Sequence, residues 1–240
     1  MIAGVDSLAN VTAGSHPDTE AYRVYEMLRR DIRSGRVEPG SPLRTEWLKK
    51  TYQVSTSPLR EALARLNAEF YVTTEGKRGF RVSKLSRAEF LTLTELRNDL
   101  ESKGLRKSIE ARTEEWESRV LVAHHALGKV QIESFSDIES VEKRESRHRR
   151  FHLELLSECG SSWLLRVYDQ MASHTEWYRR IALRDATFDA SYFERVERQH
   201  RDLMESAFQG DAEKAVSCLM DHRLLSRDQV LSMFDGAVAV

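Results

Sequence analysis

Proline stops early in this chain. All four prolines, Pro17, Pro39, Pro42 and Pro58, fall in the first quarter, and the 182 residues after Pro58 contain none. Glycine is also sparse, at 11 of 240 residues. A long stretch without helix breakers reads as helix rather than as a loop-rich or all-β body. Cysteine is nearly absent: Cys159 and Cys218 are the only two. That excludes a disulfide-built secreted scaffold and suits a reduced cytoplasm, with both residues in helical patterns as core. No apolar run approaches the roughly 18 residues of a membrane span, and nothing resembles a signal peptide. The expected location is the cytoplasm, with no membrane partner. An excess of one charge is missing too, with 37 Lys and Arg against 38 Asp and Glu. Alone, that argues against a nucleic-acid binder. The distribution says more: residues 1–84 carry a net +4 and residues 85–240 a net −5. A basic head on an acidic body suits DNA contact by one part only.

What the head contains is a patterned run from Val54 to Val82. Ser55 and Ser57 are N-cap types, and Pro58 suits the first helical position. Leu59, Ala62, Leu63 and Leu66 recur at helical spacing and form a buried face. Ser57, Arg60, Glu61 and Arg65 then point elsewhere, with Arg60 in the first turn. Phe70 to Thr74 and Phe80 to Val82 are β-prone and flank Glu75-Gly76-Lys77-Arg78-Gly79. Upstream, Tyr22 to Ser34 is an amphipathic helix stopped by Gly35. Val37 to Pro42 is a turn by composition, and Thr45 caps a short helix that carries Trp47, Leu48 and Tyr52 inward. Two helices, a third helix and a glycine-tipped ribbon are the parts of a winged helix-turn-helix. Its recognition helix fits a DNA major groove.

Pro39-Gly40, Leu43, Leu48, Val54-Ser55, Pro58-Leu59-Arg60-Glu61-Ala62-Leu63, Leu66, Val72, Gly79 and Val82 together resemble the signature of GntR-type bacterial transcription regulators. The resemblance implies double-stranded operator DNA as partner. It implies DNA contact through Ser55, Arg60 and Gly79, extended to Arg44, Thr56, Ser57, Lys77 and Arg78 around them. Two departures stand out. The family's common arginine after the serine is Thr56 here, and Glu46 replaces an arginine found in some relatives. The operator of a relative is therefore not transferable.

The body, by its apolar periodicity, holds about six helices: 90–111, 114–133, 137–157, 161–184, 190–209 and 212–234. The expected fold is mainly α: a flexible tail (1–18), a winged helix-turn-helix (19–84) and an all-α bundle (85–240). Leu85-Ser86, Leu96-Arg97 with Leu100-Glu101, and Gly210-Asp211 before a helix with Asp221-His222 resemble the FadR-type branch, whose body is an FCD domain. His148 and His152, four apart, share a helix face and can chelate one ion. In that branch a divalent metal is held by an Asp-x-x-x-His pair and two later histidines, a pattern met here by His148, His152, His200 and His222. His148 stands where most relatives have aspartate. An all-imidazole set suits zinc, with nickel or copper next, better than manganese or magnesium. His16, His124, His125 and His174 read as ordinary surface or core residues. Arg147-His148, Phe151-His152 and the Cys159-Gly160-Ser161 segment resemble the glutarate-responsive repressors of the branch.

The resemblance implies a small-carboxylate effector, such as a dicarboxylate, and a homodimer that acts as a repressor. Arginine clamps carboxylate with a matched fork. Arg97 is the first candidate, followed by Arg147, Arg179 and Arg180, with Trp163, Trp177 and Tyr178 as cavity-lining aromatics. The expectation is a regulator, not an enzyme. The alternatives are a metal-dependent enzyme on the bundle, or an architectural DNA binder without effector. Against the enzyme, no HExxH-type carboxylate sits beside the His pair, and no P-loop, GxSxG elbow or dinucleotide turn occurs.

Overall fold

The structure, a computed structural model, describes residues 19–76, 79–184 and 190–236. The fold is mainly helical, with one small sheet. It divides into two compact units with the division at Glu89/Phe90.

The first unit is built from α1 (Glu20–Arg33), β1 (Pro42–Leu43), α2 (Thr45–Tyr52), α3 (Thr56–Ala68), β2 (Val72–Thr74) and β3 (Phe80–Val82). Thr19 starts α1, its hydroxyl accepting the Tyr22 amide at 3.2 Å, a standard way to satisfy an unpaired first-turn N–H. Val24, Leu28 and Ile32 of α1, Leu48 of α2 and Leu59, Ala62, Leu63 and Leu66 of α3 are all buried, and α1 packs against α3. Helical spacing alone produces this core. Tyr52 ties α2 to α1 by donating its hydroxyl to Asp31 Oδ2 at 2.8 Å, while Arg36 holds Oδ1 at 2.9 Å. The sheet is antiparallel in the order β1-β3-β2, with Leu43 opposite Phe80 and Thr73 opposite Arg81. β2 and β3 form the ribbon. Gly79, at its tip, has φ +94°, which only glycine adopts without strain.

Several local expectations need correction. Pro42, read as the end of a turn, pairs together with Leu43 against β3 as a third strand. The segment is too short for any alternation to be visible. The N-cap of α2 is Arg44, so Thr45 is its first helical residue rather than its cap. α3 begins at Thr56 behind Ser55, which puts Pro58 at the third helical position; its missing N–H still falls in the first turn, where no acceptor exists. Trp47, expected inward, is 45% exposed and meets Tyr52 only edge-on. Leu48 and Tyr52 already fill the inward face of a helix of 8 residues. Phe70 is not in a strand. It closes α3 at φ +64°, with its N–H on the Asn67 carbonyl and the Tyr71 N–H on the Leu66 carbonyl. That is the hydrogen-bond pattern of a Schellman cap, and it leaves Phe70 69% exposed.

The second unit holds α4 (Arg87–Glu110), whose first turn precedes the division, then α5 (Glu114–Gly128), α6 (Ile138–Leu155), α7 (Ser162–Arg184), α8 (Ala190–Phe208) and α9 (Ala212–Gly236). Thr113, Asp137 and Asp211 cap α5, α6 and α9 by accepting first-turn amides at 3.0–3.2 Å. Gly210, at φ +76°, ends α8. Trp116, Val120, Phe151, Tyr168, Leu203, Ala207 and Leu219 form the centre of the core. Trp116 satisfies its indole by donating to the Glu154 carbonyl at 2.8 Å. α5 stops at Gly128, short of the helix to residue 133 that the pattern suggested. Among the described residues no helix is long and apolar enough to cross a membrane.

Candidate metal centre and DNA-recognition surface

In the first unit, the exposed side of α3 carries Thr56, Ser57 and Arg60. Ser55 caps α3 by position, yet its hydroxyl makes no capping hydrogen bond. Arg44 is exposed at the start of α2. Neither the Arg44 nor the Arg60 side chain has an ion pair or hydrogen bond among the described residues. Lys77 and Arg78 lie outside the described residues, between exposed Gly76 and Gly79. Free hydroxyls and guanidinium groups at the head of a helix are donors suited to phosphate oxygens and purine edges. Glu46 spends its charge on Lys49 at 3.3 Å.

In the second unit, α6 supplies His148 and His152, α8 supplies His200 and α9 supplies His222. One ring nitrogen from each of these four lies within 4.8 Å of the others. The Nε2 atoms of His200 and His222 are 3.3 Å apart. Nitrogens bound at about 2.05 Å around a tetrahedral ion sit about 3.3 Å from each other, so this pair already has the spacing, and the wider pairs of the set would close from as much as 4.8 Å. Two of the four rings have an oxygen at Nδ1, whereas His200 Nδ1 is buried without a hydrogen-bond partner. His222 Nδ1 lies 3.4 Å from Gln199 Oε1, and His152 Nδ1 lies 3.0 Å from Glu101 Oε1. Each carbonyl or carboxylate oxygen favours Nδ1–H and so leaves the Nε2 lone pair inward. His152 Nε2 is buried with no hydrogen-bond partner, which is the condition of a ligand atom awaiting an ion. The histidines fit a divalent metal.

Electrostatics keeps them ready. Burial, then the nearby Arg223 charge, pushes the His152 pKa down to about 3. Burial likewise holds His148, His200 and His222 well below the usual imidazole value. All four are neutral near pH 7, the form that ligates.

Beside the cluster lies a small cavity whose walls include His148, His222, Arg144, Arg179, Tyr192 and Phe193. Arg179 forms a tight two-point pair with Glu145. Burial disfavours its charge, but Glu145 more than offsets this and raises its pKa. Arg144 pairs with Glu197 at 2.7 Å and stacks over Phe193. The other three arginines assigned to an acid ligand, Arg97, Arg147 and Arg180, are not among its lining residues, and Arg180 faces Glu142 at 3.5 Å and Glu176 at 3.8 Å. Arg97 donates to Thr175 Oγ1 at 2.6 Å and to Tyr168 Oη at 3.2 Å, and Arg147 donates to the Ala126 carbonyl. Trp163, expected at a cavity wall, is 72% exposed. Trp177 and Tyr178 are buried, and the aromatic wall comes instead from Tyr192 and Phe193. Sequence reading missed Arg144, Glu145, Gln199, Glu101 and Arg223. Glu101 was legible in part, because it falls four residues after Arg97 on the core side of α4.

A helix-turn-helix head with a ribbon, followed by a helical body holding a histidine quartet, is the architecture of a transcription regulator. Residues 20–82 match the family of bacterial regulatory proteins named gntR, and residues 92–224 match the FCD domain. The chain belongs to the GntR family, in its FadR-type branch with an FCD domain. It is 30% identical over 200 residues to the HTH-type transcriptional repressor GlaR of Escherichia coli K12, covering 83% of this chain and 90% of GlaR. It is 34% identical over 199 residues to the uncharacterized HTH-type regulator BphR of Paraburkholderia xenovorans LB400, covering 82% and 80%. Among solved structures, E. coli McbR/YncC shares the fold with a TM-score of 0.74 at 19% identity, covering 90% of this chain and 99% of that one. Members of this family are transcription regulators, not enzymes, and bind operator DNA and small-molecule effectors; this chain is a transcription regulator of that type.

Proposed function

We propose that the protein is a cytoplasmic, homodimeric repressor whose body binds zinc, with nickel as the alternative, through His148, His152, His200 and His222. A small carboxylic acid, a dicarboxylate or a related acid, binds beside the metal and changes operator affinity. Residues 19–84 form the DNA-binding head and 85–240 the sensing and dimerising body. Arg44, Ser55, Thr56, Ser57, Arg60, Lys77, Arg78 and Gly79 meet DNA. The observation that carries the reading is the convergence of four neutral imidazoles from three helices on one point, against a cavity containing Arg179. An all-imidazole site leaves the ion's double charge uncompensated, which favours an anion next to it. Of the four arginines assigned to the acid, Arg179 has this support. Its Glu145 partner marks where a ligand carboxylate would exchange in, and Arg97 and Arg147 hold other groups. The name of GlaR is the further support for repression.

An acid that weakens operator binding is itself bound more weakly by the DNA-loaded protein, by the same factor. Two measurements test this reading. Arg60→Ala is expected to lower affinity for a genomic operator fragment about 10- to 100-fold, from the roughly 1–3 kcal/mol of a base-directed arginine. Unchanged affinity would remove Arg60 from the interface. Thermal-shift screening of the zinc-loaded protein against a carboxylic-acid set is expected to find stabilising acids. Arg179→Met should abolish their effect while zinc content stays at the wild-type level. An acid whose shift survives Arg179→Met does not use this cavity.

A further inference from the structure

Behind His152 lies a closed polar network. Glu101 of α4, 1% exposed, receives the hydroxyl of Tyr168 at 3.0 Å and two donors of Arg223, at 2.9 Å on Oε2 and 2.5 Å on Oε1. Arg97 Nε stands 3.6 Å from Oε2, and His152 Nδ1 3.0 Å from Oε1. Arg223 Nη2 also stands 3.0 Å from the same His152 Nδ1. These two neighbours make opposite demands on that nitrogen. The guanidinium can only donate, so it favours an unprotonated Nδ1 and therefore Nε2–H. Nε2–H points at the other histidines and cannot ligate. The carboxylate can only accept, so it favours Nδ1–H and leaves the Nε2 lone pair inward.

We infer that Glu101 is a positioning residue of the metal site, whose carboxylate selects the ligating tautomer of His152 against the opposing demand of Arg223. The carboxylate engages Arg223 with two hydrogen bonds, the shorter of them from the same Nη2 that stands beside Nδ1, so that donor is committed to Glu101 while the carboxylate accepts from Nδ1–H. Removing the negative charge leaves Arg223 to contest that nitrogen. Carboxylates that hold the second nitrogen of a ligating histidine typically contribute 10- to 100-fold in metal affinity. The inference rests on the metal reading above.

The experiment titrates metal-free wild type and Glu101→Gln with zinc against a chromophoric chelator, and with cobalt followed by visible absorption. Glu101→Gln is expected to raise the zinc dissociation constant about 10- to 100-fold and to weaken the cobalt bands. Trp116→Phe, a core change that does not touch this network, is expected to leave both unchanged. Adding Arg223→Met to Glu101→Gln removes the competing donor and should recover most of the lost affinity. Should Glu101→Gln fail to fold, imidazole nitrogen NMR of metal-free wild type still decides: Nδ1–H on His152 is expected, and Nε2–H overturns the inference. Wild type that binds no zinc overturns the metal reading. Wild type that binds, with Glu101→Gln equal to it or with a loss that Arg223→Met does not recover, overturns this inference alone.

Discussion

His200→Ala loses tight divalent-metal binding. Its Nε2 is one of four converging nitrogens and sits 3.3 Å from His222 Nε2, on the edge that an ion would share. Structural zinc sites with four ligands gain about 10–16 kcal/mol near pH 7, or roughly 3 kcal/mol per ligand. Removing one should weaken zinc about 100-fold or more, enough to release it to a moderate chelator. His152→Ala should behave alike. His125→Ala, a histidine outside the quartet, should keep its metal. Metal content after dialysis, with circular dichroism as a check on folding, measures this. If His200→Ala retained one zinc per chain after chelator dialysis, the quartet would not be the site.

Metal-free protein loses stability steeply in mild acid, the second large effect. His152, His200 and His222 are buried, and their folded pKa values are held below the unfolded value of about 6.5. As pH falls through 6.5 the unfolded chain takes up protons that the folded chain refuses, so unfolding becomes progressively easier. Nothing is lost above that pH, and the loss continues down to the depressed folded values. Three such groups amount to about 3–4 kcal/mol between pH 7 and 5.5. His148, partly exposed, adds less. Glu101 acts in a lower window. Burial would raise its pKa, but Arg223 and then Arg97 hold it well below the carboxylate range. Its contribution is therefore present above about pH 4.5 and lost below it. Urea unfolding at a series of pH values measures the slope. Zinc, which binds the neutral imidazoles, should offset part of the loss at each pH. A stability that stays flat from pH 7 to 5.5 in chelator-treated protein would contradict the buried neutral cluster.

Much of the fold was legible because helices write their packing into local spacing. Leu59, Ala62, Leu63 and Leu66 needed no partner to be recognised as one buried face. The sparse glycines placed the stops at Gly35 and Gly210. The misreadings fall where non-local pairing or competition for space decides. Pro42 and Leu43 became a strand only because β3 offers them hydrogen bonds. Trp47 was displaced outward because Leu48 and Tyr52 took the inward positions on a two-turn helix. Among the candidate site residues, the four histidines could be named from spacing and family pattern, since α6 alone brings two of them onto one face. The arginines could not be sorted. Arg97, Arg147 and Arg179 are chemically alike, and only their neighbours distinguish them: Thr175 and Tyr168 for the first, the Ala126 carbonyl for the second, Glu145 and the cavity for the third.

By itself the sequence determined the class of the protein: a helix-turn-helix head whose cues are local, and a proline-free helical body with histidines at fixed intervals. Those properties depend on residue type and spacing, which one dimension records. Only the tertiary structure decided which way each side chain spends its charge. It brought Glu101, Arg223 and His152 together across 122 residues of chain and put Glu145 on Arg179. A hydrogen bond between distant residues is a fact of packing, and nothing in the local pattern of either residue encodes it.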